Sequence, residues 1–308
     1  MKHRASLTTS LSSYIKNHIY ENGRRYHAYN EGKYFAPNDE AENDRLDMHN
    51  HMARLAIGGK LHTAPIGDNP QRILDVGCGT GIWTIDIGDE YPSAEVIGID
   101  LSPTQPPMVP PNVRFEVDNA EEEWTYSKKF DFIHCRWMAG SILNWPRLVS
   151  RVYKNLKPGG WFECQDYDIM VTSSDGSLTA ENTTYQWNAL CCEALEKINI
   201  DHQPGAKMKR WCEDVGFESV QEEILFMPLG IWPKDKKYKE IGAWNYLIVT
   251  EGLEALSLRL FTKVLGWNKE EVEVLCAKVR TELKTNRKIH PLYKYHVVIG
   301  QKPNEKGD

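Results

Sequence analysis

The sequence predicts an α/β domain built on a doubly wound, mostly parallel sheet of seven strands. Three observations carry that expectation. From Arg72 to Gln165, short apolar runs alternate with helix-patterned segments, the order that builds βαβ units with right-handed crossovers. Between the first run and the first helix stands Gly77-x-Gly79-x-Gly81, a turn whose glycines admit positive φ and let a ligand approach the backbone. Acids close successive runs at Asp75, Asp100 and Asp118, on the side of such a sheet where ligands bind.

The elements follow in order. Residues 1 to about 20 are Ser/Thr-rich and read as loosely packed, and Asn22 to Pro37 is a turn-rich aromatic arm carrying Tyr26, His27, Tyr29 and Tyr34. A helix capped by Asn38, with Asp39, Glu40 and Glu42 in its first turn, runs to Gly58-Gly59. His49 and His51 stand two apart on it, so they do not share a face and do not make a metal pair. Strands are expected at Arg72–Val76, Glu95–Asp100, Val113–Val117, Phe130–Cys135, Gly160–Gln165, Gly216–Phe226 and Tyr295–Gln301. The five prolines between Ser102 and Pro111 forbid a full helix there. Helices are expected after the glycine turn to Glu90, at Asn144–Asn155, at Asn182–Lys197 and at Ala206–Val215. Two more carry apolar stripes, Leu253, Leu256, Leu260 and Val264, then Val272, Leu275, Val279 and Leu283, the second opened by an Asn268/Glu271 capping box.

Composition bounds the partners. The 308 residues are 41% apolar and 26% charged, with formal net charge −6, enough for a sizeable core and a poor match to nucleic acid. No apolar run approaches the length of a membrane span. Seven cysteines without a C-x-x-C pair suit reduced thiols, so a cytoplasmic protein is expected, with the nucleus open, and neither a disulfide frame nor a metal site. The expectation is a monomer or homodimer acting on a small molecule.

The glycine turn narrows the cofactor. It lacks the spacing G-x-G-x-x-G of a dinucleotide site, position 82 being Ile, and it lacks the Lys-Ser/Thr of a P-loop. Acids at three strand ends would repel a pyrophosphate. They suit an uncharged ribose, held by Asp100, and an adenine beside Asp118 or Asn119, together with a cationic group.

At Leu74-Asp75-Val76-Gly77-Cys78-Gly79-Thr80-Gly81, Gly98-Ile99-Asp100-Leu101-Ser102, Asp118-Asn119-Ala120 and Leu156-Lys157-Pro158-Gly159-Gly160 the chain resembles the class I S-adenosylmethionine (SAM)-dependent methyltransferases. The resemblance implies a Rossmann-like sheet with its last strand antiparallel, and SAM lying against Asp75, Gly77, Gly79, Gly81, Asp100, Leu101, Asp118 and Asn119. A narrower resemblance, to fungal LaeA-type methyltransferases, rests on Tyr26-His27-x-Tyr29-x-Glu31-Gly32-x-Tyr34-x-x-Pro37-Asn38-Asp39-Glu40, Asp44-Arg45-Leu46-Asp47, Phe132-Ile133-His134-Cys135-Arg136 with Ala139-Gly140-Ser141-Ile142, and Gly160 to Tyr167. It implies a tailoring enzyme of secondary metabolism or a regulator of it.

Ligands lie beyond the carboxyl ends of the strands, which places Arg136, Trp137 and Met138, and Asp166, Tyr167 and Asp168, near the methyl group. Asp166 is the first candidate to contact the acceptor or act as base, with Arg136 and the loop residue His202 beside it as catalytic candidates. Arg136 also counts as a cofactor residue, and Tyr26 and Tyr34, with His27, as a lid over SAM. His134 reads as structural. Of ten tryptophans, Trp137, Trp232 and Trp244 are candidates for an apolar acceptor pocket.

The whole chain, 1–308, is expected as one methyltransferase domain in four parts: arm and lid helix 1–69, SAM-binding core 70–226, helical acceptor-site cap 227–291, and last strand and tail 292–308. The cap would roof the acceptor site with the arm, or alternatively serve dimerisation. Three functions compete: methyl transfer to a small secondary metabolite at O, N or S; a LaeA-like regulator acting through protein partners; and a SAM-binding enzyme of rearrangement that transfers no methyl group.

Overall fold

The structure, a computed structural model, describes residues 18–27 and 35–305. Its centre is a sheet in the order β5-β4-β3-β6-β7-β9-β8, built from β3 (Arg72–Val76), β4 (Glu95–Asp100), β5 (Val113–Val117), β6 (Phe130–Arg136), β7 (Leu156–Tyr167), β8 (Glu218–Pro228) and β9 (Leu292–Gln301). The first five are parallel, and β9 runs antiparallel to both neighbours. This is the expected architecture. Strands β3, β4 and β6 are almost wholly buried, which is why their sequences read as continuous apolar runs.

Helix α2 (Ile82–Glu90) covers one face of the sheet, where Trp83 and Ile87 pack on Ile73, Val96 and Phe132. Helices α3 (Trp145–Asn155) and α5 (Gly205–Val215) cover the other, burying Leu148, Val149, Val152, Met208 and Cys212 with Leu74, Ile133 and Phe162. A third core joins α1 (Glu40–Ala56), α4 (Thr183–Lys197), α6 (Lys236–Leu260) and α7 (Lys269–Thr285) above the carboxyl ends of the strands.

Several boundaries differ from expectation for physical reasons. The N-cap of α1 is Asp39, not Asn38. Asp39 accepts from the Glu42 N–H at 3.1 Å and binds Arg24 through both oxygens, while the Asn38 amide lies 3.4 Å from Ser102 Oγ. Strand β7 begins at Leu156, because Gly159, at φ +75°, carries a bulge whose N–H donates to the Lys302 carbonyl. The stripe from Leu253 to Leu260 is the second half of a 25-residue helix. Two glycines hide its length from the pattern. A Cβ at Gly242 would lie 2.0 Å from the Gly230 carbonyl, and one at Gly252 2.7 Å from the Arg45 side chain of α1, so the first marks a close approach of two backbones and the second makes room for a side chain. A π turn, Phe261–Leu265, continues the helix. The Asn268/Glu271 capping box of α7 is present.

The arm forms a hairpin, β1 (His18–Glu21) and β2 (Arg24–His27), turned at Asn22-Gly23 with positive φ at both, the conformation that dipeptide favours. It docks on α6 through Arg259, whose guanidinium sits 4.5 Å over the Tyr26 ring and 3.5 Å from Glu21. The proline-rich segment 102–111 is an extended loop, pinned to the glycine turn by Thr104 and Gln105, which both donate to the Gly79 carbonyl.

Candidate active site

Gly77, Gly79 and Gly81 have φ of +75°, +54° and +82°. At Gly77 a Cβ would strike Met138 Sδ at 2.1 Å and at Gly81 the Phe115 ring at 2.4 Å. At Gly79 it would meet only Leu46, at 3.5 Å, so this residue leaves its backbone open to the cavity it lines. Asp100 holds the turn: its Oδ2 accepts from Gly79 N–H at 2.9 Å and its Oδ1 from Ser102 N–H at 2.8 Å. Burial pushes the Asp100 carboxyl upward, and these backbone donors oppose the shift.

The cavity runs from Asp118 and Asn119 at one end to Arg136 and Asn50 at the other, past Asp100 and Leu101. Each end carries a buried donor without a partner among the described residues. At the first end it is Asn119 Nδ2; the Asn119 side-chain oxygen already accepts from Glu121 N–H at 2.9 Å. At the other it is Arg136 Nη1, while Nη2 donates to Asn50 Oδ1 at 2.6 Å. Arg136 is 8% exposed, and burial pushes its guanidinium pKa down. A buried cation of this kind calls for an anion.

Asp75 accepts from Thr84 Oγ1 at 2.7 Å and contacts His134 Nδ1 at 2.9 Å. His134 stacks on Trp83, 3.8 Å between centroids, and burial holds its pKa below the usual histidine value. It is more than a strand filler: it lines the cavity, and its Nε2 has no partner among the described residues.

A second cavity adjoins the first, and Leu46 and Trp137 line both. Its walls come from α1, the turn after β6, the end of β7, α4 and α6. Trp137 adopts φ +57°, a left-handed conformation that costs a bulky residue ~1–3 kcal/mol. The turn is held there by Asp166, whose Oδ2 accepts from Met138 N–H at 2.8 Å and Ala139 N–H at 2.9 Å, and whose Oδ1 accepts from Tyr167 N–H at 2.9 Å. Burial pushes the Asp166 carboxyl up to about 7 against those three donors.

The remaining expected residues are placed as follows. Asp166 is 1% exposed and lines neither cavity. His202 also lies outside both, its Nδ1 3.3 Å from Glu196. Asp168 turns to Ala206 N–H at 3.1 Å and to His296 at 3.4 Å. Tyr26 is fully buried beneath Arg259 and lines neither cavity, because its ring is committed to α6. Tyr34 and the His27 side chain fall outside the described residues. Of the three tryptophans, Trp137 alone lines the paired cavities; Trp232 donates to the Pro291 carbonyl at a separate recess and Trp244 packs edge-on to His51. Sequence reading missed Asn50, His49 and Trp187 as cavity residues. The signal was present on α1, where Leu46 and Asn50, and Arg45 and His49, stand four apart and share faces.

A carboxylate for vicinal hydroxyls, an amide for a purine edge and a guanidinium with one terminal nitrogen unpartnered among the described residues for a carboxylate fit S-adenosyl-L-methionine along its length. With this sheet order they define a SAM-dependent methyltransferase.

The chain belongs to the methyltransferase-domain family, whose model matches residues 48–222. It is 43% identical over 299 residues to methyltransferase pytC of Aspergillus terreus, covering 97% of this chain and 92% of that protein. It is 38% identical over 292 residues to the secondary metabolism regulator LAE1 of Cochliobolus heterostrophus, covering 92% and 95%. Against the protein-methionine methyltransferase laeA of Emericella nidulans it is 36% identical over 287 residues, covering 92% and 76%. Among solved structures it is similar in fold to phosphoethanolamine N-methyltransferase 2 of Haemonchus contortus in complex with SAM, with TM-score 0.50 and 15% identity over 97% of this chain and 74% of that one. Among the described residues no helix is long and apolar enough to cross a membrane.

Proposed function

We propose that this methyltransferase passes the methyl group of SAM to a small secondary metabolite held in the second cavity. The observation that carries the reading is the junction of the two cavities at Leu46 and Trp137, which brings a donor site and an apolar chamber to one wall. When bound, SAM supplies an electrophilic methyl on a sulfonium whose departure leaves a neutral thioether. The chain's part is then alignment and exclusion of water.

Asp100 would receive the ribose hydroxyls, Asp118 and Asn119 the adenine edge, and Arg136 the carboxylate of the amino-acid end. His134 Nε2, left unprotonated when Nδ1 donates to Asp75, would accept from the ammonium. Asp166 serves as a positioning residue: it sets the turn that carries Trp137 between the cavities. Helix α6, packed along α1, roofs the chamber with Leu256 and Leu260. The relationship to pytC, a named methyltransferase matched along 97% of this chain, supports the tailoring role.

A regulatory role through protein partners is the second reading, favoured by the likeness to LAE1 and laeA. Incubation with methyl-labelled SAM and fungal culture extract separates the two. The expected result is label in an extractable small molecule. Label confined to protein would sink the tailoring reading.

A further inference from the structure

The chamber beside the cofactor site is apolar on most sides, with Trp187, Leu195, Leu256 and Leu260 in its walls. Where α1 meets the turn after β6 it carries nitrogen. Arg45 Nη1 lies 2.6 Å from His49 Nε2. A guanidinium can only donate, so His49 Nε2 accepts and the imidazole proton sits on Nδ1. That Nδ1 is buried and has no partner among the described residues. Trp137 Nε1, always an N–H, is in the same condition. The two rings touch edge to face with centroids 4.6 Å apart.

Two buried donors without acceptors among the described residues, on touching rings that both line one chamber, cost ~1–3 kcal/mol each until something accepts from them. Behind His49 stands the Arg45 charge, fixed by a 2.5 Å pair with Glu42, which polarises the imidazole N–H outward. No side chain here stands ready to remove a proton. Among the described residues lining the chamber there is no carboxylate. Burial first, then the Arg45 and Arg136 charges, hold His49 neutral, and burial holds Tyr167 and Tyr293 protonated.

We propose that the chamber selects a methyl acceptor that arrives already ionised: a conjugated oxygen acid with two oxygens in conjugation, the enol of a β-dicarbonyl or a phenol conjugated to a carbonyl on an apolar body, with one oxygen resting on the N–H groups of His49 and Trp137. The inference deepens the methyl-transfer reading above and rests on it. The acid gives its proton to water before it binds. Its second, conjugated oxygen then forms the O–C bond with a lone pair while the C–S bond opens and leaves its pair on sulfur, so no general base is required. Donors in a dry site bind an anionic oxygen more strongly than a neutral one.

The test uses triacetic acid lactone, an acidic enol, and its methyl enol ether, which cannot ionise. Each is titrated calorimetrically into the full chain loaded with S-adenosylhomocysteine. The ionised enol is expected to bind at least about tenfold more tightly than the ether, the worth of a hydrogen bond to charge. His49→Phe, which keeps an aromatic ring and removes one of the two donors, should cut that preference several-fold. His49→Gln, which keeps an N–H, should retain most of it, and both variants should bind S-adenosylhomocysteine like the wild type. Nitrogen NMR of histidine-labelled protein should show His49 as the neutral Nδ1–H tautomer from about pH 6 to about 9. Equal binding of enol and ether, an unaltered preference in His49→Phe, or a His49 that titrates in that window would overturn the proposal while methyl transfer stands. Failure of the wild type to bind S-adenosylhomocysteine would overturn both.

Discussion

Arg136 on β6 reaches Asn50 on α1 with a 2.6 Å hydrogen bond and keeps its other terminal nitrogen buried without a partner among the described residues. The bond fixes one terminal nitrogen of the guanidinium and leaves the Nη1 N–H pair for a carboxylate. Arg136→Ala is therefore expected to weaken SAM about 10- to 100-fold, the range of a charge-assisted bond, and Asn50→Ala by less. Lysine should not rescue, since it lacks the planar fork. Calorimetry with SAM and decarboxylated SAM closes the cycle. The wild type should discriminate strongly between them and Arg136→Ala hardly at all. Equal discrimination by both proteins would place the carboxylate elsewhere.

The three glycines of the turn should fail in different ways. Gly81→Ala combines φ +82° with a clash against Phe115 at 2.4 Å, so loss of the fold or a large drop in stability is expected. Gly79→Ala meets only Leu46 at 3.5 Å and carries mainly the left-handed penalty of ~1–2 kcal/mol. It should fold and yet bind SAM poorly, because its new methyl group occupies the surface the cofactor needs. Urea denaturation paired with SAM titration checks both. A Gly79→Ala protein with normal affinity would contradict the placement of the turn.

The proposed donor half of the candidate site was legible because its parts are local. Gly77, Gly79 and Gly81 lie in the turn between β3 and α2, and Asp100 ends β4, positions that the period of the strands and the spacing of the glycines mark. The proposed acceptor half was not. Arg45, His49, Trp137, Trp187 and Leu256 come from four separated segments, and only tertiary packing, of α1 and α4 against α6 and of the turn after β6 beside them, brings them together. The commitment of Asp166 to three backbone N–H groups depends on the left-handed turn at Trp137, which no composition signal announces in a tryptophan. Asn38 and Asp39 were equally good caps by type, and Arg24, fifteen residues away, decided between them. Asn22-Gly23 did carry a hairpin signal, and reading the arm as a lid passed over it.

All seven cysteines are buried and none is paired with another in a disulfide. Burial pushes the thiols of Cys78, Cys191 and Cys192 up, and Cys164 is raised first by its hydrogen bond with Cys135 and then by burial. Thiolate is the reactive form, so the native protein should resist iodoacetamide at neutral pH, and denaturation should expose every thiol at once. Intact-mass spectrometry reads both states. Rapid alkylation of one site in the native protein would mean that its surroundings open readily.

Asp166 makes a stability prediction with a definite sign. Its carboxyl is raised to about 7 in the folded chain, chiefly by burial, against about 3.9 when unfolded. Between those values the native state holds a proton that the unfolded state has released. Its contribution is therefore full below about pH 4 and is lost as pH rises through about 7. Asp100 and Asp118 are raised by burial as well and add to the same slope, so the informative quantity is the difference between wild type and Asp166→Asn. The amide cannot ionise and keeps one oxygen for the Met138 and Ala139 N–H groups. The variant should lose ground to the wild type at low pH and recover it toward neutrality, where the wild type has taken up the buried charge. Urea unfolding at a series of pH values measures the difference. A gap that widens with rising pH would show that the three backbone donors outweigh burial and that Asp166 is ionised throughout.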